Sequence, residues 1–426
     1  MFASPRMSIA IAMLTAASAL SAQGTIDRGR LIGLAADFGG PAITPATVQR
    51  QLLCRDAARV CAGIGQPVTE WAGGLAYNGA NASVWQTQGT RMAEHAIGTC
   101  DLLCSSPAEL QLGAGSLATG LAISEAAATL YQLESVPGMA ALHQWSIAQC
   151  PPTVFASCRF ALPTNRHIAG SVTVDRKNGW ILYAASLFGP SPTGPQNTIL
   201  VAQLTDPCNI VCTFPVLACN PTAPLGPITG LAFDDCDELL YVTDGTKTLS
   251  MRRSALQPCS YQPVACCLIG PAGNQSWAGI DIEAVHPVAL GRSCVGGNCP
   301  NCGNLALIAH GDPNVGNPDF GISIVDGPVG GRAFLAFNVG RCTPQNLPIF
   351  CGPFYPDIGA IPPVIIGLGV LNGGAPCDGS IRSRIAVPLD FSLCGGALCF
   401  QGIVLCPVAM QPSVALTNAL QILVDS

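Results

Sequence analysis

The stretch Gly230–Gly245, GLAFDDCDELLYVTDG, decides how this chain is read. A short strand of small and apolar residues, Gly230–Phe233, runs into the acidic turn Asp234–Glu238. A second strand with a central tyrosine, Leu239–Val242, follows it. Apolar runs broken by Asp and Gly read as antiparallel strands joined by a tight turn. The unit recurs. Its first strand is matched by Gly74–Asn78, Gly120–Ser124, Ser171–Asp175 and Gly279–Glu283, at spacings of 46, 51, 59 and 49 residues along the series. The second strand carries an aromatic at one fixed place in the first four copies: Trp85, Tyr131, Tyr183 and Tyr241. A more polar third strand comes next (Arg91–Ile97, Ala141–Ile147, Thr198–Leu204, Thr248–Ser254), then two cysteines, then a fourth strand.

Four antiparallel strands repeated at about this period make the blades of a β-propeller, and each blade buries its faces only against its neighbours. The ends of the array fit together. Leu31–Ala35, Thr47–Leu53 and Val60–Ile64 supply a second, third and fourth strand with no first, while Gly279–Glu283 is a first strand with no blade. Joining them removes two exposed sheet edges. The expected fold is all-β: a five-bladed β-propeller closed by N- and C-terminal strands, followed by a β-sandwich domain. Six blades is the count if a divergent unit is hidden. The pair GLAFD…LLYVTDG resembles the repeats of NHL and YWTD-type propellers, over roughly Leu31–Glu283. That resemblance implies the fold. Such propellers include binding modules, ligand platforms of receptors and hydrolases.

The repeat stops after Glu283. Residues 23–292 are assigned to the propeller, 293–303 to a cysteine-rich linker and 304–426 to a domain of some seven short strands. Strands of that number and length suit a β-sandwich. Gly316–Phe337 and Val414–Ser426 look like a small C-terminal sandwich attached to large secreted bacterial proteins. Residues 1–22 read as a signal peptide, with Arg6 as the positive residue, an apolar stretch over Ser8–Leu20 and small residues at Ala19, Ser21 and Ala22. No transmembrane segment is expected elsewhere, because the longest apolar candidate, Ile361–Leu371, is broken by Pro and Gly. The chain is therefore expected to be secreted, or held at the cell surface or in the periplasm.

Composition narrows the function. Charged residues are 10% of the 426, the net charge is -6, and Lys177 and Lys247 are the only lysines. A nucleic-acid partner is not expected, since it needs a dense basic surface. The 22 cysteines suit an oxidising compartment. Cysteine pairs flank each turn between third and fourth strands, and the expected disulfides stay within a blade: Cys54–Cys61, Cys100–Cys104, Cys150–Cys158, Cys208–Cys212 and Cys259–Cys266, with Cys267 able to replace Cys266. A further clip is expected at Cys342/Cys351. Pairing is left open for Cys219, Cys236, Cys267, Cys294, Cys299, Cys302, Cys377, Cys394, Cys399 and Cys406.

No Gly-x-Ser-x-Gly elbow and no His-Glu-x-x-His motif occurs, and the five histidines are scattered. The repeated polar residues Asn78, Ser124, Asp175, Asp234 and Glu283 have two readings. They bond their own backbone in the turn after the strand, or they form a ring of oxygens for calcium, the one cofactor considered. Trp71, His167 and Trp277 fall near the starts of first strands, and Asp244 and Lys247 on a loop of the same face. They form the candidate binding site, unless the tryptophans pack between blades. The preferred function is a secreted, non-catalytic binding protein whose partner is an extracellular protein or a glycan. The alternative is an extracellular propeller hydrolase or lyase, lactonase-like and metal-dependent.

Overall fold

A computed structural model describes residues 30–36, 46–52, 57–64 and 72–425, the last with short omissions at 89, 98, 114, 125–127, 164–166, 188–195, 217–224, 255–256, 268–275, 284–285, 298, 301, 360–361 and 407–412. The proposed signal peptide and Trp71 lie outside them. The chain divides into two compact units, one of Gly29–Asn78 with Ala82–Glu283, the other built mainly of Ala284–Ser426.

The first unit begins with β1 (Arg30–Ala36), β2 (Ala46–Leu52) and β3 (Ala57–Ile64). Four quartets follow: β4 (Ala72–Asn78), β5 (Ser83–Gln88), β6 (Arg91–Ala96), β7 (Leu102–Pro107); β8 (Leu117–Ser124), β9 (Thr129–Val136), β10 (Met139–Ser146), β11 (Thr153–Ala161); β12 (His167–Asp175), β13 (Trp180–Leu187), β14 (Asn197–Gln203), β15 (Asp206–Pro215); β16 (Gly230–Asp234), β17 (Leu239–Thr243), β18 (Thr248–Ser254), β19 (Gln257–Cys267). The unit ends with β20 (Ser276–Glu283). Each quartet is an antiparallel sheet in chain order, and a further four-stranded sheet has the order β20-β1-β2-β3. In it Leu31 lies opposite Ile282 and Gly33 opposite Ile280, so the last strand of the unit supplies the partner that the first three lack. The first strands of the five sheets touch in cyclic order: β4 on β8, β8 on β12, β12 on β16, β16 on β20, and β20 on β4.

The repeated residues explain this stacking. Trp85, Tyr131, Tyr183 and Tyr241 are all buried, and each lies across the ladder from a small or β-branched residue: Ala76, Ala122, Val172 and Ala232. Each ring fills the space to the neighbouring sheet. Trp85 shares a core with Leu121 and Leu130, and Tyr131 shares one with Val172 and Tyr183. The glycine that opens the repeat is required by close approach of strands. A Cβ on Gly120 would sit 2.9 Å from the backbone of Ser171 on β12.

The second unit holds β21 (Val288–Leu290), β22 (Cys294–Val295), β23 (Ala306–His310), β24 (Gly321–Gly327), β25 (Arg332–Val339), β26 (Val364–Val370), β27 (Gly379–Arg384), β28 (Ala397–Leu405) and β29 (Val414–Leu423). One sheet runs β21-β29-β28-β25-β26 with β22 also on β29, and a second runs β23-β24-β27. The two sheets share one apolar core that includes Leu307 and Ile322 from one, and Leu335, Phe400 and Leu420 from the other. Within the stretch 293–303, Cys294 and Val295 join this unit's sheet by pairing with Leu416 and Ala415.

The disulfides overturn the within-blade expectation. Cys104 bonds Cys150, Cys158 bonds Cys208 and Cys212 bonds Cys259, so each bond joins one sheet to the next. Cys100–Cys104, Cys150–Cys158, Cys208–Cys212 and Cys259–Cys266 are therefore not pairs. Cys100 is disulfide-bonded elsewhere. The clip Cys342/Cys351 also fails, since Cys342 bonds Cys399 and Cys351 bonds Cys294. Cys299–Cys406 and Cys302–Cys377 complete the described bonds of the second unit. The expected pair Cys54/Cys61 lies outside the side chains described. Loop closure gives the physical reason. On the chain-entropy model a five-residue clip restrains the unfolded chain by about 2 kcal/mol and a loop near fifty residues by about 4 kcal/mol. The outer strands of stacked sheets also approach closely enough, with Cα atoms 5.8–6.2 Å apart.

Candidate functional site

Where the first strands of three successive sheets begin, the backbone leaves the regular ladder. Thr119 on β8 and Gly170 on β12 are each skipped by the pairing to the second strand. Gly74 on β4 is skipped in the same way. Such bulges re-aim one residue out of the sheet's alternation. Thr119 and Gly170, so displaced, help to line a cavity of about 190 Å³ with Leu117, Ile168, Ala169, Ser186, Pro227, Ile228 and Thr229. A Cβ on Gly170 would lie 2.0 Å from the carbonyl oxygen of Ile228, so only glycine lets the segment before β16 close this wall. The Ser186 hydroxyl accepts a 2.8 Å bond from the Ile228 amide and pins the same segment.

The lining is apolar apart from hydroxyls. The Thr229 hydroxyl donates a long 3.5 Å bond to the Thr243 carbonyl. Thr119 is 7% exposed, and its hydroxyl has no partner among the described residues. None of the lining residues carries a charge. The site suits a neutral group with one hydrogen-bonding atom, because an unpaired charge there would lose its hydration without compensation.

Among the described residues singled out in the sequence, the structure joins Trp277 to the Asp244–Lys247 loop, where its amide donates to the Gly245 carbonyl at 2.9 Å. Trp277 is 1% exposed and packs with Leu31, Tyr241 and Ile280, so it belongs to the core between sheets rather than to a ligand surface. His167 is buried at the start of β12, where burial lowers its pKa, and its carbonyl accepts from the Gly138 amide. Asp244 organises its own loop: one oxygen accepts from the amides of Thr246 and Lys247 at 2.9 and 2.8 Å, the other from the Gly226 amide at 2.9 Å. The Lys247 carbonyl closes that loop by accepting from Asp244 and the Thr243 hydroxyl. Two of the described residues adjoin the cavity wall: His167 is the chain neighbour of Ile168, and Asp244 holds Gly226, the chain neighbour of Pro227.

Two of the repeated acids serve turns. Asp175 accepts from the amide and side chain of Asn178 at 2.9 Å, and Asp234 from the amides of Cys236 and Asp237 at 2.9 and 3.0 Å. Burial, reinforced by the nearby charge of Asp235, pushes Asp175 up to about 6. Asp235 in turn binds Arg176 at 2.6 Å and so ties the turns of two sheets together.

Sequence reasoning missed Leu117, Ile168, Gly170, Ser186, Pro227 and Ile228. The small residues at the strand starts, Thr119, Ala169 and Thr229, are the visible signal, since small side chains leave open space beside them.

No family model matches the chain, and no curated protein matches it. Solved structures with similarity include the nidogen/laminin complex (12% identity, 59% of this chain and 98% of that chain, TM-score 0.36). A protein from Lactobacillus plantarum is similar at 9% identity, covering 93% of this chain and 97% of its own, with a TM-score of 0.32. The periplasmic gluconolactonase of Pseudomonas aeruginosa is similar at 11% identity, 70% of this chain and 79% of its own, with a TM-score of 0.32. Likenesses this distant assign neither a family nor an activity.

Proposed function

We propose that this chain is a secreted β-propeller of five blades, closed by β20 on β1, that works as a binding module braced by disulfides between blades. The cavity at the strand starts carries the reading. It is lined by two successive sheets and the segment that leads into β16, and its side chains offer hydroxyls and hydrocarbon, a lining that suits a neutral group. Its volume suits one apolar side chain of a protein partner, or the apolar face of a sugar, rather than a whole drug-sized ligand. The rest of such a partner would lie across the propeller face, with the second unit as an attachment module. No helix is long and apolar enough to cross a membrane among the described residues. The test is a paired screen of the purified protein. Binding to an array of extracellular glycans and proteins, weakened by filling the cavity with Leu117→Trp, is the expected result. Turnover of lactones that is abolished by chelation would replace this reading with the metal-dependent hydrolase.

A further inference from the structure

A second constellation lies across β9, β10 and β11, away from the cavity lining. Glu134 on β9 and His143 on β10 both have fully buried side chains, and they meet at 3.0 Å between Oε2 and Nε2. On its other side His143 places Nδ1 2.9 Å from the hydroxyl of Ser157, which stands directly opposite it on β11. Ser157 is exposed. β11 is the outer strand of its sheet, so the chain of groups runs from the interior to the rim.

The hydrogen-bond roles follow from chemistry. Glu134 is held as an acceptor. Its oxygens take the Gln111 and Leu112 amides at 2.8 and 2.7 Å as well as His143. These bonds, with one from Ser116, keep its carboxyl below the usual range although burial opposes them. A carboxylate only accepts, so Nε2 of His143 carries the hydrogen. In the neutral ring Nδ1 is then a lone pair, and the Ser157 O–H donates to it. That is the arrangement of nucleophile, base and orienting acid that activates a hydroxyl. It uses the two ring nitrogens in the opposite sense to the serine-protease template, with the same proton logic.

The surroundings give the rest. Phe155, Ser157 and Arg159 are all exposed along β11; Ser157 and Arg159 share one face, and Phe155 is the residue skipped at a bulge in the pairing to β10. Phe155, two residues from Ser157 on the same strand, is 59% exposed and leaves apolar surface open to a ligand. Arg159 donates to the Gln111 carbonyl at 2.8 Å, on the segment that also supplies amides to Glu134. A guanidinium has five N–H donors in a planar fork, a suitable group to face an oxyanion. The next residue, Cys158, is bonded to Cys208 and anchors the strand to the neighbouring sheet.

We propose that Ser157 is an activated nucleophile that accepts acyl groups from small aryl or alkyl esters, with His143 as its base and Glu134 as the positioning residue. The inference goes beyond the binding role and concerns a different part of the molecule. In the acylation step Ser157 Oγ bonds to the ester carbonyl carbon as its proton passes to His143 Nδ1. The C–O bond to the alcohol then breaks, and the alcohol leaves with that proton. Water attacks the acyl-serine in the same manner, giving the carboxylic acid and free Ser157.

The experiment is labelling of the whole protein with a fluorophosphonate, located by peptide mass spectrometry, alongside a p-nitrophenyl acetate burst assay. One label per chain on Ser157 is expected, with no label in Ser157→Ala, an exposed change that leaves the fold intact. Glu134→Gln should slow labelling about 100-fold or more, the scale of general-base assistance. Glu134→Asp, which restores the charge, should recover part of that rate, a response that a purely structural role would not give. Thermal unfolding of the Gln and Asp variants separates lost folding from lost activation. Absence of label on the wild type, label spread over other serines, or equal rates in wild type and folded Glu134→Gln would each overturn the proposal.

Discussion

The two units use disulfides in different ways. In the propeller unit the three described bonds close loops with separations of 46, 50 and 47 residues, one repeat each. In the second unit the separations are 57, 107, 75 and 57, with no common period. The first set fastens a sheet to its successor near the outer strands. The second set tacks loops and short strands onto one core. A repeat therefore turns one favourable geometry into a belt, whereas an irregular fold must solve each bond separately.

The largest test of this contrast removes one bond from each unit. Cys158→Ala with Cys208→Ala should lower the stability of the propeller unit by about 4 kcal/mol, and Cys299→Ala with Cys406→Ala that of the second unit by about 5 kcal/mol, following loop length. Denaturant unfolding of the oxidised proteins, followed for each unit's own transition, reads both. Non-reducing peptide maps that returned Cys100–Cys104 or Cys150–Cys158 peptides would break the comparison outright.

Charge burial sharpens it next. Asp175 is raised from 3.8 to about 6, chiefly by burial. The unfolded carboxyl loses its proton near the lower value and the folded one near the higher, so the unfolded state binds fewer protons in between. Stability then falls as pH rises through that window, by up to about 3 kcal/mol. Asp175→Asn lacks this term. Its stability relative to wild type should improve by up to about 3 kcal/mol between pH 3 and pH 7, measured by urea unfolding at a series of pH values. A constant difference across the series would remove the buried-carboxyl account.

A smaller effect is expected at the cavity. Thr119→Val keeps the shape and deletes a buried hydroxyl without a partner, so the propeller unit should gain about 1 kcal/mol. A loss of stability would mean that the hydroxyl is bonded. The smallest effect belongs to the second unit, where Arg384 and Asp319 form an ion pair with side chains 52% and 59% exposed. Arg384→Ala should change the unfolding midpoint by the equivalent of less than about 1 kcal/mol, and less still in high salt.

The sequence by itself determined the strand quartets, the aromatic between sheets and the pairing of Gly279–Glu283 with Leu31–Ala35, because these follow from local alternation and from a repeat with one strand missing at one end and one in surplus at the other. For Asp175 and Asp234 it offered a turn or a calcium ring, and the structure shows the turn, since these side chains bond backbone two or three positions on. Tertiary structure decided what crosses between strands and sheets. Cysteines four to eight residues apart around a turn read as partners, yet the stacking of sheets brings the next repeat's sulfur closer. Trp277 reads as a rim residue, yet the space beside Tyr241 and Ile280 takes its ring. Ser157, His143 and Glu134 come from three strands with no linear motif, and only their register places hydroxyl, imidazole and carboxylate in line. Periodicity along a chain specifies elements, while distances between elements depend on how faces pack.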